Sequence, residues 1–388
     1  MARRCILHLG AGKTGSSSIQ DALFFDLRDE RFQYLGGGLP VGNQALTAVF
    51  CPAPENARLH GGHRKEGSFE RSRAEFARRL DRGFRLAERR SADVILSSES
   101  MFNASPEGLG NLRDRLEDER LDVEVIVYLR PWMSLVTSKF HQWLKRPRRR
   151  RPNPPPNATR GGGRGGTDLA GLLTPMDARK RLEVLFRVFG RERVSVHRFE
   201  PRAFPDGCVV RHFCGLIGLP VAAGQAWRSN ESLSLPAVRL LYAYRVFGPP
   251  RAAGERDFGL VKRLKALPGP RLSLHSSLVG PWLAERQPGD EWTRRELGFS
   301  LCDEPLPPDT DDSVATEADL FRYPIGIREW LAAQTGQPVI RLAEGEEAAR
   351  AVAGQVEALR RRRDFLAEWR ERKWQAARIA WVRWRHGC

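Results

Sequence analysis

The sequence predicts an α/β protein: a doubly wound, mostly parallel sheet flanked by helices, with a basic helical tail at the C-terminus. Two observations predict this class. Short apolar runs alternate with helical patterns through the first half of the 388 residues, and the strongest run is rich in β-branched residues. Hydrophobic residues make up 41% of the chain, which is sufficient for a sizeable core and argues against general disorder.

The elements follow from these patterns in chain order. Apolar runs predict strands at residues 5–9, 93–97, 123–129 and 193–199. Helical spacing predicts helices at residues 16–27, 131–145, 175–189 and 209–217, and one long basic helical tract at 346–385.

The chain is predicted to hold one large domain and a tail. Residues 1–330 form the α/β domain, and residues 340–388 form a basic helix with four tryptophans. Residues 146–166 (RPRRRRPNPPPNATRGGGRGG) interrupt the domain. They contain too few apolar side chains to pack a core, so we expect a disordered insertion.

The net charge of +17 is concentrated in two segments. Residues 145–166 contain eight basic and no acidic side chains, and residues 360–385 contain ten basic and three acidic ones. The rest of the chain is close to neutral. A basic nucleic-acid-binding protein is therefore an alternative interpretation, but neither segment resembles a known nucleic-acid module.

Location and metal content are also predicted. No stretch approaches the roughly 20 apolar residues that span a bilayer, and the apolar run at residues 5–11 is too short for a secretory leader. We therefore expect a soluble, cytoplasmic protein. No group of histidine, cysteine or aspartate has metal-ligand spacing, so no metal is expected.

The most informative segment is ILHLGAGKTGSSSIQ at residues 6–20, a strand followed by a glycine turn and a helix. Amides at a helix start have no intrahelical partner, so they can cradle a phosphate, while a lysine adds charge and hydroxyls add donors. The predicted phosphate-binding residues are Gly12, Lys13, Thr14, Gly15, Ser16 and Ser17.

This turn is P-loop-like without matching the P-loop consensus. The pattern GxxxxGK[ST] requires a glycine where Leu7 stands inside the strand. A P-loop nucleotide kinase is therefore a weaker alternative, and no clear Walker B run supports it.

A second group of residues follows the strand that ends at Leu129. Arg130 lies at the carboxyl end of a predicted parallel strand, where open α/β sheets bind ligands, and its guanidinium suits bidentate phosphate recognition. Ser138 and Gln142 follow on the next helix.

Together the two groups resemble the PAPS-dependent sulfotransferases, particularly bacterial carbohydrate-type members; PAPS is 3′-phosphoadenosine 5′-phosphosulfate. The family's first loop reads roughly G-x-x-K-T-G-T-T-S-[IL]-Q, and residues 10–20 read GAGKTGSSSIQ. Its second motif reads Y-x-R followed by a serine eight residues later, as in Tyr128, Arg130 and Ser138. The resemblance covers about residues 5–245, including RSNESLS at residues 228–234.

The resemblance implies a PAPS donor and roles for individual residues. Lys13 would stabilise the leaving group, and Arg130 and Ser138 would hold the 3′-phosphate. Glu99, which follows a predicted strand, would be the general base that accepts the proton of the acceptor hydroxyl. Alternative bases are His60, His63 and His141, whereas His8 is expected to be a core residue.

The resemblance further implies a hydroxylated acceptor, a sugar of a glycan or glycolipid. The tail offers a possible way to reach lipid-linked sugars, because part of it forms a helical stripe flanked by arginines, which suits an anionic membrane at its inner face. The alternative is that this stripe packs on protein. Its members are Leu359, Leu366, Trp369, Lys373 (through its aliphatic stem), Ala376, Ala380 and Trp384. The oligomeric state stays open.

Overall fold

The computed structural model describes residues 3–36, 43–60, 68–145, 177–221, 232–249 and 257–362, and residues 373, 376, 377, 379 and 380 of the tail. Its strands are β1 (Arg4–His8), β2 (Phe32–Tyr34), β3 (Asp93–Ser97), β4 (Asp122–Leu129) and β5 (Val194–Arg198). They form one five-stranded sheet in the order β2-β3-β1-β4-β5, with every pairing parallel. The predicted fold class is confirmed. The sequence did not predict β2, since three residues are too few to show a period.

Helices flank the sheet. They are α1 (Ser16–Phe25), α2 (Asn43–Phe50), α3 (Ala53–His60), α4 (Ser68–Arg89), α5 (Pro106–Asp118), α6 (Trp132–Lys145), α7 (Ala178–Phe189), α8 (Val209–Ile217), α9 (Leu235–Phe247), α10 (Phe258–Leu264), α11 (Ser276–Ala284), α12 (Gln287–Leu297), α13 (Ile325–Thr335) and α14 (Glu346–Arg361). The predicted helix at residues 16–27 ends two residues early, at Phe25.

The sheet has an apolar layer on each face, as a doubly wound fold requires. Along β1, Cys5 and Leu7 contribute to the core that includes α5, α6 and α9. Ile6, between them, points to the opposite layer, where α1 and α8 pack. Both faces of the central strand are therefore buried, which explains its unbroken apolar run.

The first part of the predicted C-terminal helix, α14, belongs to the main core. Helix α14 packs on α9 and α13, and Val352 and Val356 lie in the same buried cluster as β1. The carboxylate of Glu357 pairs with Arg360 at 2.9 Å and with Arg361 at 2.8 Å, which offsets the like charges there.

Three predictions fall outside the described residues: the insertion at 146–166, the 228–231 part of the late motif and the four tail tryptophans. Among the residues that the structure does describe, no helix is both long enough and apolar enough to cross a bilayer.

Candidate active site

The predicted site residues follow three neighbouring strands and lie at the carboxyl ends of those strands, along one edge of the sheet. Strand β1 pairs with β3 on one side and β4 on the other, with His8 opposite Ser97 and Ile126. Their carboxyl ends therefore lie side by side, with β1 in the middle. This is the position where the chain order reverses and where such sheets bind ligands.

The site has two halves. The loop half consists of residues 10–17, which follow β1, and Glu99, which follows β3. The helix half consists of Arg130, which follows β4, together with α6 and residues 300–304.

The loop is held closely against the end of the sheet. The amide of Ala11 donates to the carbonyl of Tyr128 at 3.1 Å. The buried hydroxyl of Thr14 donates to the carbonyl of Ala11 at 2.6 Å. Ser16 Oγ lies 3.4 Å from the Thr14 hydroxyl oxygen. Thr14 and Ser16 are thus buried beneath the loop, whereas Lys13 and Ser17 are partly exposed.

The backbone of the loop adopts left-handed conformations at two positions. Lys13 has φ of 74° and Gly15 has φ of 76°. Gly15 precedes α1 and no side chain caps the helix, so the first amides of α1 keep their capacity to bind an anion. A left-handed lysine is strained, by about 1 kcal/mol or more, and such strain concentrates at functional sites.

Two glycines of the loop lie close to neighbouring side chains. A Cβ on Gly10 would overlap Ser16 Oγ and lie 2.8 Å from Thr14 Oγ1. A Cβ on Gly12 would lie only 3.2 Å from Glu99 Oε1. The half-buried carboxylate of Glu99 is therefore next to the residue that precedes Lys13, and its role as a base stays a prediction.

Arg130 joins the two halves. Its Nη1 donates to the carbonyl of Lys13 at 2.8 Å, its Nε donates to Ser134 Oγ at 3.0 Å, and its guanidinium lies 5.2 Å from the ring centre of Phe199. Burial lowers the pKa of Arg130, and the charge of Glu304 partly opposes that shift. Arg130 thus contacts the loop directly, while the phosphate-binding role of both stays a prediction.

The structure adds Ser134 to the predicted residues. Ser134, and not Ser138, is the hydroxyl that contacts Arg130; Ser138 lies one turn further along α6 and is partly exposed. The spacing of four between Arg130 and Ser134 could have indicated this pair. The role of Ser138 toward a ligand remains a prediction.

Residues 300–304 complete the helix half, and no sequence motif indicated them. The carbonyl of Leu301 accepts from the amide of Trp132 at 2.8 Å. A carboxylate oxygen of Glu304 accepts from the amide of Ser134, also at 2.8 Å. Two amides at the start of α6 are therefore satisfied by a distant part of the chain.

Positive charge accumulates on α6. Burial, followed by the charges of Lys265 and Lys13, lowers the pKa of Lys145 to about 8. Burial also lowers the pKa of Lys139, with a smaller contribution from Arg286. The charges of Lys265 and Lys13 both act on Lys145, and an anion bound near these lysines would reduce their repulsion.

The histidine alternatives differ in position. His8 is fully buried; its Nδ1 lies 2.8 Å from Ser97 Oγ, its Nε2 has no partner, and burial lowers its pKa to about 3. His141 is buried on α6, and burial with the charges of Lys145 and Arg130 lowers its pKa to about 4. His63 and the side chain of His60 lie outside the described residues.

Within the described part of the chain, no group of three or more histidine, cysteine, aspartate or glutamate side chains could hold a metal ion.

No protein-family model matches the sequence, and no curated protein matches it either. Among solved structures, the chain is similar to a sulfotransferase from Alicyclobacillus acidocaldarius, at 13% identity and a TM-score of 0.39, over 77% of this chain and 98% of that one. A TM-score this low leaves the fold assignment resting on the strand pairing itself.

Proposed function

We propose that the protein transfers a sulfuryl group from PAPS to a hydroxyl of an acceptor. One observation carries the proposal: a phosphate-type loop, an arginine and a carboxylate meet at one sheet edge. Arg130 contacts the Lys13 carbonyl at 2.8 Å, and Glu99 lies beside Gly12. These are the three functions that in-line transfer of a charged group requires: donor binding, leaving-group stabilisation and proton removal.

The loop half fits a phosphosulfate. No side chain caps the start of α1, so the first amides of that helix can bind anionic oxygens, and Lys13 adds a positive charge. When bound, PAPS supplies an activated sulfuryl group. Lys13 then stabilises the negative charge that develops on the departing phosphate oxygen.

Arg130 and Ser138 hold the 3′-phosphate, and this contact distinguishes PAPS from ATP. Glu99 accepts the proton of the acceptor hydroxyl. The bond between sulfur and the acceptor oxygen forms as the bond between sulfur and the phosphate oxygen breaks, and adenosine 3′,5′-bisphosphate leaves.

Two other classes are weaker. A P-loop kinase would require a glycine at Leu7, which is fully buried inside β1. A nucleic-acid-binding role would depend on the basic segments at 145–166 and 360–385, of which the structure describes only Lys145, residues 360–362 and isolated tail residues.

The acceptor is a carbohydrate, on a glycan or glycolipid, and the tail brings the enzyme to the inner face of an anionic membrane from the cytoplasm. Among tail residues with described side chains, Ala376 and Ala380 of the proposed stripe are exposed. Ile379 is half-buried against the layer formed by α1 and α8. The five cysteines that the structure describes form no disulfide, which suits a reducing compartment.

A thermal-shift comparison tests the class of protein. We expect adenosine 3′,5′-bisphosphate to raise Tm, while ATP and a DNA oligomer at equal concentration leave it nearly unchanged. An absence of stabilisation by the bisphosphate, or equal stabilisation by ATP, would refute the proposal.

Co-sedimentation with anionic and neutral liposomes tests the membrane contact. We expect the full chain, but not a variant lacking residues 363–388, to sediment with anionic vesicles. Equal sedimentation of both proteins would exclude the tail as the membrane-binding element.

A further inference from the structure

The N-terminus of α6 is capped by residues far away in sequence. Pro131 precedes the helix and has no side-chain acceptor for the first amides. The Leu301 carbonyl and the Glu304 carboxylate take this role, each at 2.8 Å, for Trp132 and Ser134. The positive end of α6 therefore faces a carboxylate of the chain itself.

This carboxylate is connected to Arg130 in two ways. The Glu304 carboxylate accepts a hydrogen bond from the Ser134 amide, and the Ser134 hydroxyl accepts one from Arg130 Nε at 3.0 Å. By holding Ser134, the carboxylate supports the orientation of the guanidinium. Through space, its negative charge acts on Arg130 and favours the charged guanidinium. The first connection depends on an oxygen acceptor, and the second depends on charge.

Glu304 is held in place by its neighbours. The buried carboxylate of Asp290 accepts from the Leu301 amide and from the Ser300 hydroxyl, both at 2.6 Å. Ser300 Oγ in turn accepts from the amide of Cys302 at 2.9 Å and from that of Asp303 at 3.0 Å. The segment thus forms a fixed support from which the Glu304 side chain reaches α6.

We infer that Glu304 is a specificity-determining residue of the nucleotide site: its carboxylate orients Arg130 through Ser134, while its charge limits how tightly a 3′-phosphate is held. The inference rests on the proposed function, in which Arg130 binds that phosphate. The Glu304 carboxylate and a 3′-phosphate held by Arg130 are both negative and repel each other. The carboxylate therefore lowers the affinity for the bisphosphate product and favours its release.

Two substitutions separate the two effects. Glu304→Gln keeps an oxygen acceptor for the Ser134 amide and removes the charge. Glu304→Ala removes both, so the orientation of Arg130 is lost as well. Glu329→Gln, at an exposed position on α13, is the matched control for a general change of net charge.

The experiment measures Kd by calorimetry for adenosine 3′,5′-bisphosphate and for AMP, which lacks the 3′-phosphate, at low and high salt. We expect Glu304→Gln to bind the bisphosphate about three- to tenfold more tightly than wild type, with less gain at high salt. AMP affinity should change little, Glu304→Ala should bind the bisphosphate more weakly than Glu304→Gln, and Glu329→Gln should match wild type.

Several results would overturn the inference. They are a Glu304→Gln variant with unchanged or weaker bisphosphate affinity, an equal gain for AMP, and an equal gain in Glu329→Gln. If wild type binds the bisphosphate and Glu304→Gln shows no gain, the inference fails while the proposed function stands. If wild type does not bind it, both fail.

Discussion

The two halves of the candidate site are assembled in different ways. In the loop half, residues 10–17 and Glu99 are placed by adjacent strands, and the loop closes on itself through Thr14. In the helix half, Arg130 depends on Ser134, whose amide is bound by a carboxylate 170 positions away at Glu304. A contiguous motif can specify the loop at residues 10–17, whereas the position of Glu99 and the whole helix half require the paired strands and the completed fold.

The two halves should also differ in the kinetic quantity that they control. The loop half holds Lys13 and Glu99, which we assign to bond making and breaking, besides the amides that bind the phosphosulfate, whereas the helix half holds only groups that we assign to donor affinity. Substitutions in the first should change kcat, and substitutions in the second should change donor Kd. The following predictions test this division, from the largest expected effect to the smallest.

Glu99→Gln should lower kcat by about 10²- to 10⁴-fold, because general-base catalysis is lost. Affinity for adenosine 3′,5′-bisphosphate should stay near wild type, since Gln is nearly isosteric. Steady-state kinetics and calorimetry measure both quantities. Near-normal turnover would transfer the role to a histidine such as His60 or His63.

Lys13→Ala should lower kcat by about 10²- to 10³-fold, because the leaving group loses its charge stabilisation. Single-turnover measurements at saturating donor separate this effect from weaker binding. If saturating donor restores the wild-type rate, Lys13 contributes only to affinity, and the division between the halves is wrong.

Arg130→Ala should weaken donor binding by about 10- to 100-fold, the loss expected for a charge-assisted contact, with a smaller effect on kcat. The paired variants Ser134→Ala and Ser138→Ala identify the important hydroxyl. If Ser138 binds the phosphate directly, its loss should cost more affinity than that of Ser134, which acts through Arg130. Wild-type affinity in Arg130→Ala would remove the proposed 3′-phosphate site.

A buried histidine with a depressed pKa lies in or next to each half: His8 at the end of β1, before the loop, with a pKa of about 3, and His141 on α6, with a pKa of about 4. In the unfolded chain each histidine takes up a proton near pH 6.5, whereas in the folded chain it does so only near its depressed pKa. The free energy of unfolding therefore has its full value above about pH 6.5 and decreases as pH falls toward the folded pKa. Each histidine should contribute about 1.4 kcal/mol per pH unit in that window. Urea unfolding of His8→Asn and His141→Asn should show a shallower pH slope; an unchanged slope would contradict the burial argument.

Lys13→Gly should raise the free energy of unfolding by about 1 kcal/mol, because glycine adopts a positive φ without strain. The same variant should be as inactive as Lys13→Ala. Urea denaturation with Lys13→Ala as the control gives the comparison. A Lys13→Gly variant less stable than Lys13→Ala would show that the backbone at this position is not strained.

The sequence by itself determined the alternation of strands and helices, the glycine loop after β1 and the position of Arg130 after β4. These features are local: side-chain periodicity and turn residues encode them within short windows, and parallel pairing then places strand ends together. Glu99 is named from the family resemblance, and its position beside Gly12 is seen only in the structure.

Only the tertiary structure decided which groups complete the helix half. Glu304 and Leu301 cap α6 from a segment that carries no motif, and Ser134 replaces Ser138 as the hydroxyl beside Arg130. The charge of Lys13 also acts on Lys145. Apart from the local pair of Arg130 and Ser134, these interactions join residues more than 100 positions apart. They are set by how helices pack on a finished sheet, which no local pattern of residues specifies.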